Sequence, residues 1–409
     1  MMDRVKEFEK KRFGMFIHFG LFSQVDRGEW TFHEHPDVAA NYDEQFKTFN
    51  PVNLDWKEIV GTAKKSGMKY ITLTTRHHDG FSLYDTKGLN DYDVMHTPYG
   101  KDIIKEFVDE CNAQGITPFL YHTMHDWQLP LFEENFDEYL KYLQKSVEIL
   151  CTNYGKVGGF WFDGNWSNKT ADWKEDELYG LIRKYQPDAI IINNSGLANR
   201  GKRGHKELDT LTFEQGNIFD SNERDYPRRL AMEACQTMNK HWGAASKDLD
   251  YKTPRALIEM LNKCRKLEAN YLLNIGLTGL GEIPAMSKGL LECMEVWTDY
   301  AGEAFYEGNM SEVMPEAEKD YALDYEGKTY VYVHDVPLLG VKNVIEAYED
   351  TNENNILNNV KRKIKTIKWK DNDEELLFTQ TGERVSFRAI GFPYGSSLIV
   401  RIAVIEYEE

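Results

Sequence analysis

The stretch GGFWFDGNW (158–166) is an apolar, strand-like run that ends in a carboxylate, Asp163, with a glycine directly after it. A buried strand has little local use for an aspartate, except to cap a helix or open a turn. Two carboxyl groups brought together from distant strand ends are what glycoside hydrolysis requires, one as nucleophile or base and the other as acid. Histidines offer a competing chemistry. His18, His77, His78, His122 and His125 fall in or just after strand-like runs, and imidazoles can hold a metal that activates water. Their spacing fits a metal poorly. The first run holds one histidine rather than an HxH pair, and HxxH at 122–125 lacks the i, i+4 step of a zinc helix.

The elements that must position these groups follow from periodicity. Strand-like runs at 13–20, 69–80, 116–127, 158–166, 188–196, 211–217, 233–243 and 270–277 alternate with helical spacing at 54–68, 100–115, 136–155, 176–187, 253–269 and 287–305. Such alternation makes a parallel sheet, and eight units in about 300 residues predict an α/β fold, a (β/α)8 TIM-like barrel. A doubly wound sheet would need a glycine-rich phosphate turn after the first strand, which IHFGLFS does not supply. Barrel chemistry sits at the carboxyl ends of the strands. Those ends carry His18, then Arg76 to Asp79, then Tyr121, His122, His125 and Asp126, then Trp161 and Asp163, then Asn193 and Asn194, then Glu214, and finally His241 and Trp242. Beyond about residue 308 the pattern turns β-rich, at 328–335, 363–370, 374–390 and 397–409, while 353–360 reads as a turn or loop. This predicts a small C-terminal antiparallel β-sandwich domain, with boundaries at 1–307 for the barrel and 308–409 for the sandwich. Its Tyr330, Tyr332 and Trp369 are available for carbohydrate, although aromatics in short strands more often fill a core.

Composition narrows the partners. The 409 residues are 41% hydrophobic and 28% charged, the balance of a globular chain with a large core. A net charge of −18 argues against nucleic acid and against anionic membrane surfaces. Aromatic content of 13% suits either a rich core or a site that stacks sugar faces. The five cysteines are scattered and form no CxxC, which fits a reducing compartment. Neither a signal-like apolar segment nor a span of about 18 apolar residues is visible, so a cytoplasmic location is expected, although a chain trimmed of its leader would read the same. The sequence does not set the oligomeric state and leaves a homo-oligomer open.

Several segments together resemble the α-L-fucosidases of glycoside hydrolase family 29. They are RFGMFIHFGLFS, the GEW of GEWTFHEHP, YITLTTRHHDGFSLYDT, DVMHTPYGKDIIKEFVDECNAQGI, GGFWFDG, EACQTMNKHWG and LLNIGLTGLGEIPA, spread over about residues 10–300. The resemblance implies a retaining exo-α-L-fucosidase acting through a covalent fucosyl-enzyme on terminal α-L-fucosyl residues of oligosaccharides or glycoconjugates. It implies no cofactor and no metal. Asp163 then stands at the nucleophile position. His18, Glu29, Trp30, His77 and His78 would hold the sugar hydroxyls, Tyr121 and Trp161 would wall the site, and Phe16 and Trp242 would meet the C6 methyl group. For the acid/base the resemblance points to Glu214, since DTLTFE resembles the family's D-x-x-T-P-E element with Phe213 in place of proline; Asp209 and Glu207 are the fallbacks. Asn194 and Ser195 stand where many members carry an arginine, and NKHWGAAS lacks the tyrosine that often follows WG. Two alternatives stay open: a non-catalytic fucose-binding protein on the same scaffold, and a metal-dependent barrel hydrolase using the rim histidines.

Overall fold

Eight short apolar runs form one parallel sheet in a computed structural model that describes residues 3–194, 196–341 and 354–409. The strands are β1 (Phe13–His18), β2 (Tyr70–Arg76), β3 (Thr117–Thr123), β4 (Gly159–Asp163), β5 (Ile190–Asn194), β6 (Thr210–Glu214), β7 (Ala231–Thr237) and β8 (Asn270–Gly276). They are buried on both faces, which is why they read as near-continuous apolar runs. Their order is β5-β4-β3-β2-β1-β8-β7-β6, so only the β5–β6 seam lacks a regular ladder. Asp209, just before β6, bridges that seam. Its N–H donates to the Ile191 carbonyl at 2.9 Å, and its carboxylate accepts the Ile191 N–H at 3.0 Å. The sheet is thereby a nearly closed barrel.

Helices Trp56–Lys65, Ile103–Gln114, Phe136–Asn153, Glu175–Tyr185, Pro254–Lys266 and Ala285–Ala301 follow β1, β2, β3, β4, β7 and β8 in turn. Asp55, Asp102 and Asn135 cap the first three through side chains that accept backbone N–H bonds. The β5–β6 and β6–β7 connections carry no α-helix among the described residues, a departure from the strict eight-unit alternation. Inside the barrel, Phe16, Tyr70, Phe119, Tyr121, Trp161, Ile190, Ile192, Ala231, Cys235 and Leu272 form one cluster, joined by Val5 and Phe8 of the Arg4–Glu9 helix.

Contacts divide the chain into two compact units, 1–253 with 267–293, and 254–266 with 294–409. In the second unit, antiparallel strands β9 (Asn309–Met310), β10 (Met314–Pro315), β11 (Tyr321–Tyr325), β12 (Lys328–Val333), β13 (Asn354–Asn358), β14 (Ile364–Trp369), β15 (Phe378–Thr381), β16 (Arg384–Arg388) and β17 (Arg401–Tyr407) make sheets of order β10-β13-β16-β15 and β14-β17-β12-β11-β9. A shared core of Val331, Leu357, Ile367, Trp369, Val385, Phe387 and Ile405 makes them a sandwich. The expected loop at 353–360 is instead strand β13 from Asn354; its Asn-rich sequence is overridden by pairing with β16 and β10. Residue 353 lies outside the described residues. The 374–390 run is two strands, β15 and β16, joined by a turn at Gly382. Tyr332 and Trp369 are wholly buried core rather than a sugar platform. No described helix is long and apolar enough to cross a membrane.

Candidate active site

Strand register assembles the first row of the site. Thr123, Asp163 and Asn194 are cross-strand partners at the ends of β3, β4 and β5. Alternation along β4 puts Asp163 on the same interior face as Trp161, two residues earlier. Gly164 adopts φ 102°, and a Cβ there would stand 2.9 Å from the His125 backbone nitrogen and Cβ. The glycine after Asp163 therefore lets the chain turn away at once while the carboxylate stays on the rim.

Asp163 is surrounded by donors. Its Oδ1 accepts Trp166 Nε1 at 2.8 Å and Asn194 Nδ2 at 3.3 Å; its Oδ2 accepts the Tyr121 hydroxyl at 3.2 Å and faces His78 Nε2 at 3.5 Å. Burial by itself would raise its pKa. His78, Trp166 and the Gly164 N–H outweigh burial and hold the carboxyl below the ordinary aspartate range. Glu214 has the opposite environment. Burial and the neighbouring Asp163 charge push it up to about 7, against the opposing pull of Asn194 and Arg200. The site thus holds one ionised carboxylate and one carboxyl poised to carry a proton.

The Asn194 nitrogen that reaches Asp163 also donates to Glu214 Oε2 at 2.7 Å. Sharing one donor atom keeps those two carboxyl oxygens within about 6 Å of each other. Retaining glycosidases set the pair about 5–5.5 Å apart, whereas inverting enzymes leave roughly 6.5 Å or more for a water.

A cavity of about 470 Å³ opens over the pair. Ten of the eleven predicted site residues line it: Asp163, Glu214, Phe16, His18, Trp30, His77, His78, Tyr121, Trp161 and Trp242. Phe16 forms its apolar wall, with ring centroids 5.1 Å from Trp161 and 5.8 Å from Trp242. The partners of His18 fix its tautomer. Asn274 Nδ2 donates to the Trp242 carbonyl at 2.7 Å, which fixes the amide and turns its Oδ1 to His18 Nδ1 at 2.7 Å. Burial lowers His18 to about 3, so the ring is neutral, Nδ1 carries the hydrogen and Nε2 keeps a lone pair. Burial, followed by His78 and His18, likewise keeps His77 neutral. Tyr121 stays protonated and able to donate, because burial and Asp163 both oppose its ionisation.

Glu29 is placed differently from the expectation. It is buried and does not line the cavity; its Oε2 accepts the Trp242 and Gly243 N–H groups at 2.9 and 2.8 Å. It anchors the loop that carries Trp242. The fallback acids lie elsewhere too. Asp209 precedes β6, at the barrel end opposite the site, with Arg4 and Arg183 on its carboxylate. Glu207 pairs with Arg183 at 3.2 Å.

The structure also adds residues. Trp166, Lys169, Leu197 and Asn199 line the cavity, and Asn194, read as a departure, touches both carboxylates. The spacing of Trp166, three residues after Asp163 in one short turn, could have flagged it. Arg200 donates through Nε to the Glu214 carbonyl oxygen, a return of the β5–β6 loop that no local pattern announces. Among the rim histidines, His78 Nδ1 meets Thr123 Oγ1 at 2.6 Å and His122 Nδ1 meets the Thr123 carbonyl at 2.8 Å, while His77 Nδ1 and His125 Nδ1 are buried without a hydrogen-bond partner among the described residues. Among the described residues, no group of three or more His, Cys, Asp or Glu side chains is arranged to hold a metal ion.

Such a carboxyl pair at the rim of a parallel barrel places the chain among the glycoside hydrolases. A family model described as Alpha-L-fucosidase matches residues 2–303, and the chain belongs to that family. It is similar over its whole length to α-L-fucosidase isoenzyme 1 of Paenibacillus thiaminolyticus, at 29% identity and a TM-score of 0.83, covering 99% of that chain. A family 29 α-L-fucosidase of Bacteroides thetaiotaomicron, trapped as a covalent intermediate with 2-fluoro-fucosyl fluoride, shares the fold at 20% identity and a TM-score of 0.80, covering 100% of this chain and 97% of that one. The plasma α-L-fucosidase of Rattus norvegicus is 26% identical over 331 residues, 73% of this chain and 70% of its own. The matched segments span about two thirds of the length of the first curated relatives.

Proposed function

We propose that the chain is a retaining exo-α-L-fucosidase in which Asp163 is the nucleophile and Glu214 the acid/base. An Asp163 oxygen attacks C1 of the fucosyl ring while Glu214 gives its proton to the departing glycosidic oxygen, leaving a fucosyl ester on Asp163. Glu214, now a carboxylate, takes a proton from water; the water oxygen attacks C1, the ester breaks, and fucose leaves with its anomeric configuration retained. The observation that supports this reading is the Asn194 nitrogen shared by the two carboxyl groups, which keeps the bonded oxygens within about 6 Å of each other. Their opposite proton affinities supply the required starting state.

His18 Nε2 accepts a sugar hydroxyl hydrogen, His77, His78 and Trp30 bind neighbouring hydroxyls, Tyr121 and Trp161 form the wall, and Phe16 with Trp242 receives the methyl group. Glu29 acts on this site through the Trp242 loop. The substrates are terminally fucosylated oligosaccharides or glycoconjugates. The catalytic part is residues 1–307 and the β-sandwich 308–409. The five scattered cysteines, which form no CxxC, support a reducing, cytoplasmic setting.

Asp163→Ala tests the reading on an aryl α-L-fucoside. Turnover should fall by at least roughly a thousandfold, and added azide should partly restore it as a fucosyl azide. Wild-type protein treated with 2-fluoro-fucosyl fluoride should gain one fluorofucosyl mass, absent in the variant. Full turnover in Asp163→Ala would sink the assignment.

A further inference from the structure

We propose that Asn194 is a positioning residue of the reaction, its one amide nitrogen clamping nucleophile and acid/base at the retaining separation without adding a charge. This rests on the carboxylate roles given above. The clamp is built by the fold. Strand register sets Asn194 opposite Asp163, and the side chain is 3% exposed. The Gly196 N–H donates to Asn194 Oδ1 at 3.3 Å, which orients the amide and turns its nitrogen toward the carboxylates. An amide nitrogen has two hydrogens. One serves Asp163 Oδ1 and the other Glu214 Oε2.

A neutral bridge matters because the two carboxyls must differ. A guanidinium in this place would favour ionisation of both and penalise the protonated acid. An amide holds both oxygens and draws Glu214 down less than a full charge would, so the Glu214 proton is set jointly with its other neighbours. Those are Asp163 from β4, Tyr121 from β3, Cys235 from β7, Glu29 from the β1–β2 connection and Arg200 from the β5–β6 connection. Asp163 in turn faces His78 and His125 from the connections after β2 and β3, with His18 from β1 and Tyr121 from β3. The donor favours the ionised form of each carboxyl, so its loss should raise the titration points of both.

The experiment compares wild type, Asn194→Ala, Asn194→Ser and Asn194→Asp by the pH dependence of kcat/KM on 4-nitrophenyl α-L-fucoside, with thermal melts confirming folding. In Asn194→Ala both limbs should move to higher pH by roughly half to one unit, with the optimum value reduced about tenfold. Asn194→Ser, with one O–H donor for two carboxylates, should shift only part of the way. Asn194→Asp, a third carboxylate, should move the alkaline limb furthest. A uniform loss of rate with unmoved limbs, or no change, would overturn the clamp. Asp163→Ala run alongside separates the two readings: if it turns over normally, the carboxylate roles fail, whereas if it is inactive and the Asn194→Ala limbs stay put, only the clamp fails.

Discussion

Trp161 Nε1 donates to Glu233 Oε1 at 2.9 Å, a hydrogen bond that crosses the barrel interior from β4 to β7, strands that are not neighbours in the sheet. The Tyr70 hydroxyl, from β2, donates to the other oxygen of the same carboxyl at 2.6 Å. Glu233 therefore braces three strands and holds a ring that lines the cavity. Burial raises it to about 7 against the pull of Tyr70 and Trp161. The sign follows from that direction. A carboxyl with a raised folded-state pKa contributes stability below its unfolded value of 4.5, and that contribution is lost as pH rises through the folded value. Glu233→Gln removes the titration, because its amide oxygen can accept from Trp161 while its amide nitrogen donates to the Tyr70 oxygen. Relative to Glu233→Gln, the wild type should lose roughly 3 kcal/mol between pH 5 and 8. Denaturant melts of both proteins across that range check this, and parallel pH dependences would refute it.

The pH profile of the reaction follows from the two site carboxyls. Free enzyme needs Asp163 ionised and Glu214 protonated, so kcat/KM should be bell-shaped. Its alkaline limb should fall near pH 7 as Glu214 ionises, and its acid limb should lie below the ordinary aspartate value of 3.8. In Glu214→Ala the alkaline limb should vanish for a substrate with a good leaving group, while a poor leaving group should hardly react. An unchanged alkaline limb in that variant would assign it to another residue.

The barrel strands were legible because burial on both faces makes each an uninterrupted apolar run, and their carboxyl ends located Asp163, His18 and Tyr121 before any geometry was known. What sequence could not carry was the direction of long side chains. Glu29 is close to the cavity in sequence terms, beside Trp30, yet its carboxylate turns to the Trp242–Gly243 backbone. Asn194 was visible as a residue but not as a bridge, since the bridge exists only once β4, β5 and β6 are brought together. Arg200 reaches Glu214 through a long loop, a contact with no periodic signature. Strand β13 was hidden because Asn-rich segments favour turns locally, and only pairing across the sandwich overrules that preference.

The apolar wall should read the sugar's C6 position. Phe16 is buried at 1% exposure and packs edge-on against Trp242. An apolar pocket rejects an added hydroxyl by about a hundredfold. The wild type should therefore prefer an aryl α-L-fucoside to the matching α-L-galactoside, which carries a hydroxymethyl group in place of the methyl. Phe16→Ala opens space for that hydroxyl and its water. The ratio of kcat/KM values should fall by roughly fivefold or more. An unchanged ratio would place the methyl against a different wall.

Asp209 separates stability from catalysis. Its carboxylate is fully buried and meets Arg183 at 2.7 Å, Arg4 at 3.0 Å and Arg228 at 3.4 Å, while also accepting the Ile191 N–H across the barrel seam. Its three arginine partners are part-exposed, so removing the carboxylate costs mainly the buried hydrogen bonds it accepts, the Ile191 N–H among them. Asp209→Ala should therefore cost about 1–3 kcal/mol. Asp209→Asn keeps an acceptor for Ile191 and should cost less. Because this cluster lies at the end of the barrel away from the cavity, folded Asp209→Asn should keep a kcat within about twofold of wild type and an unmoved pH profile. Denaturant melts give the first quantity and initial rates below the melting range the second. A thousandfold loss of kcat in well-folded Asp209→Asn would instead make Asp209 part of the chemistry and remove Glu214 from the acid/base role.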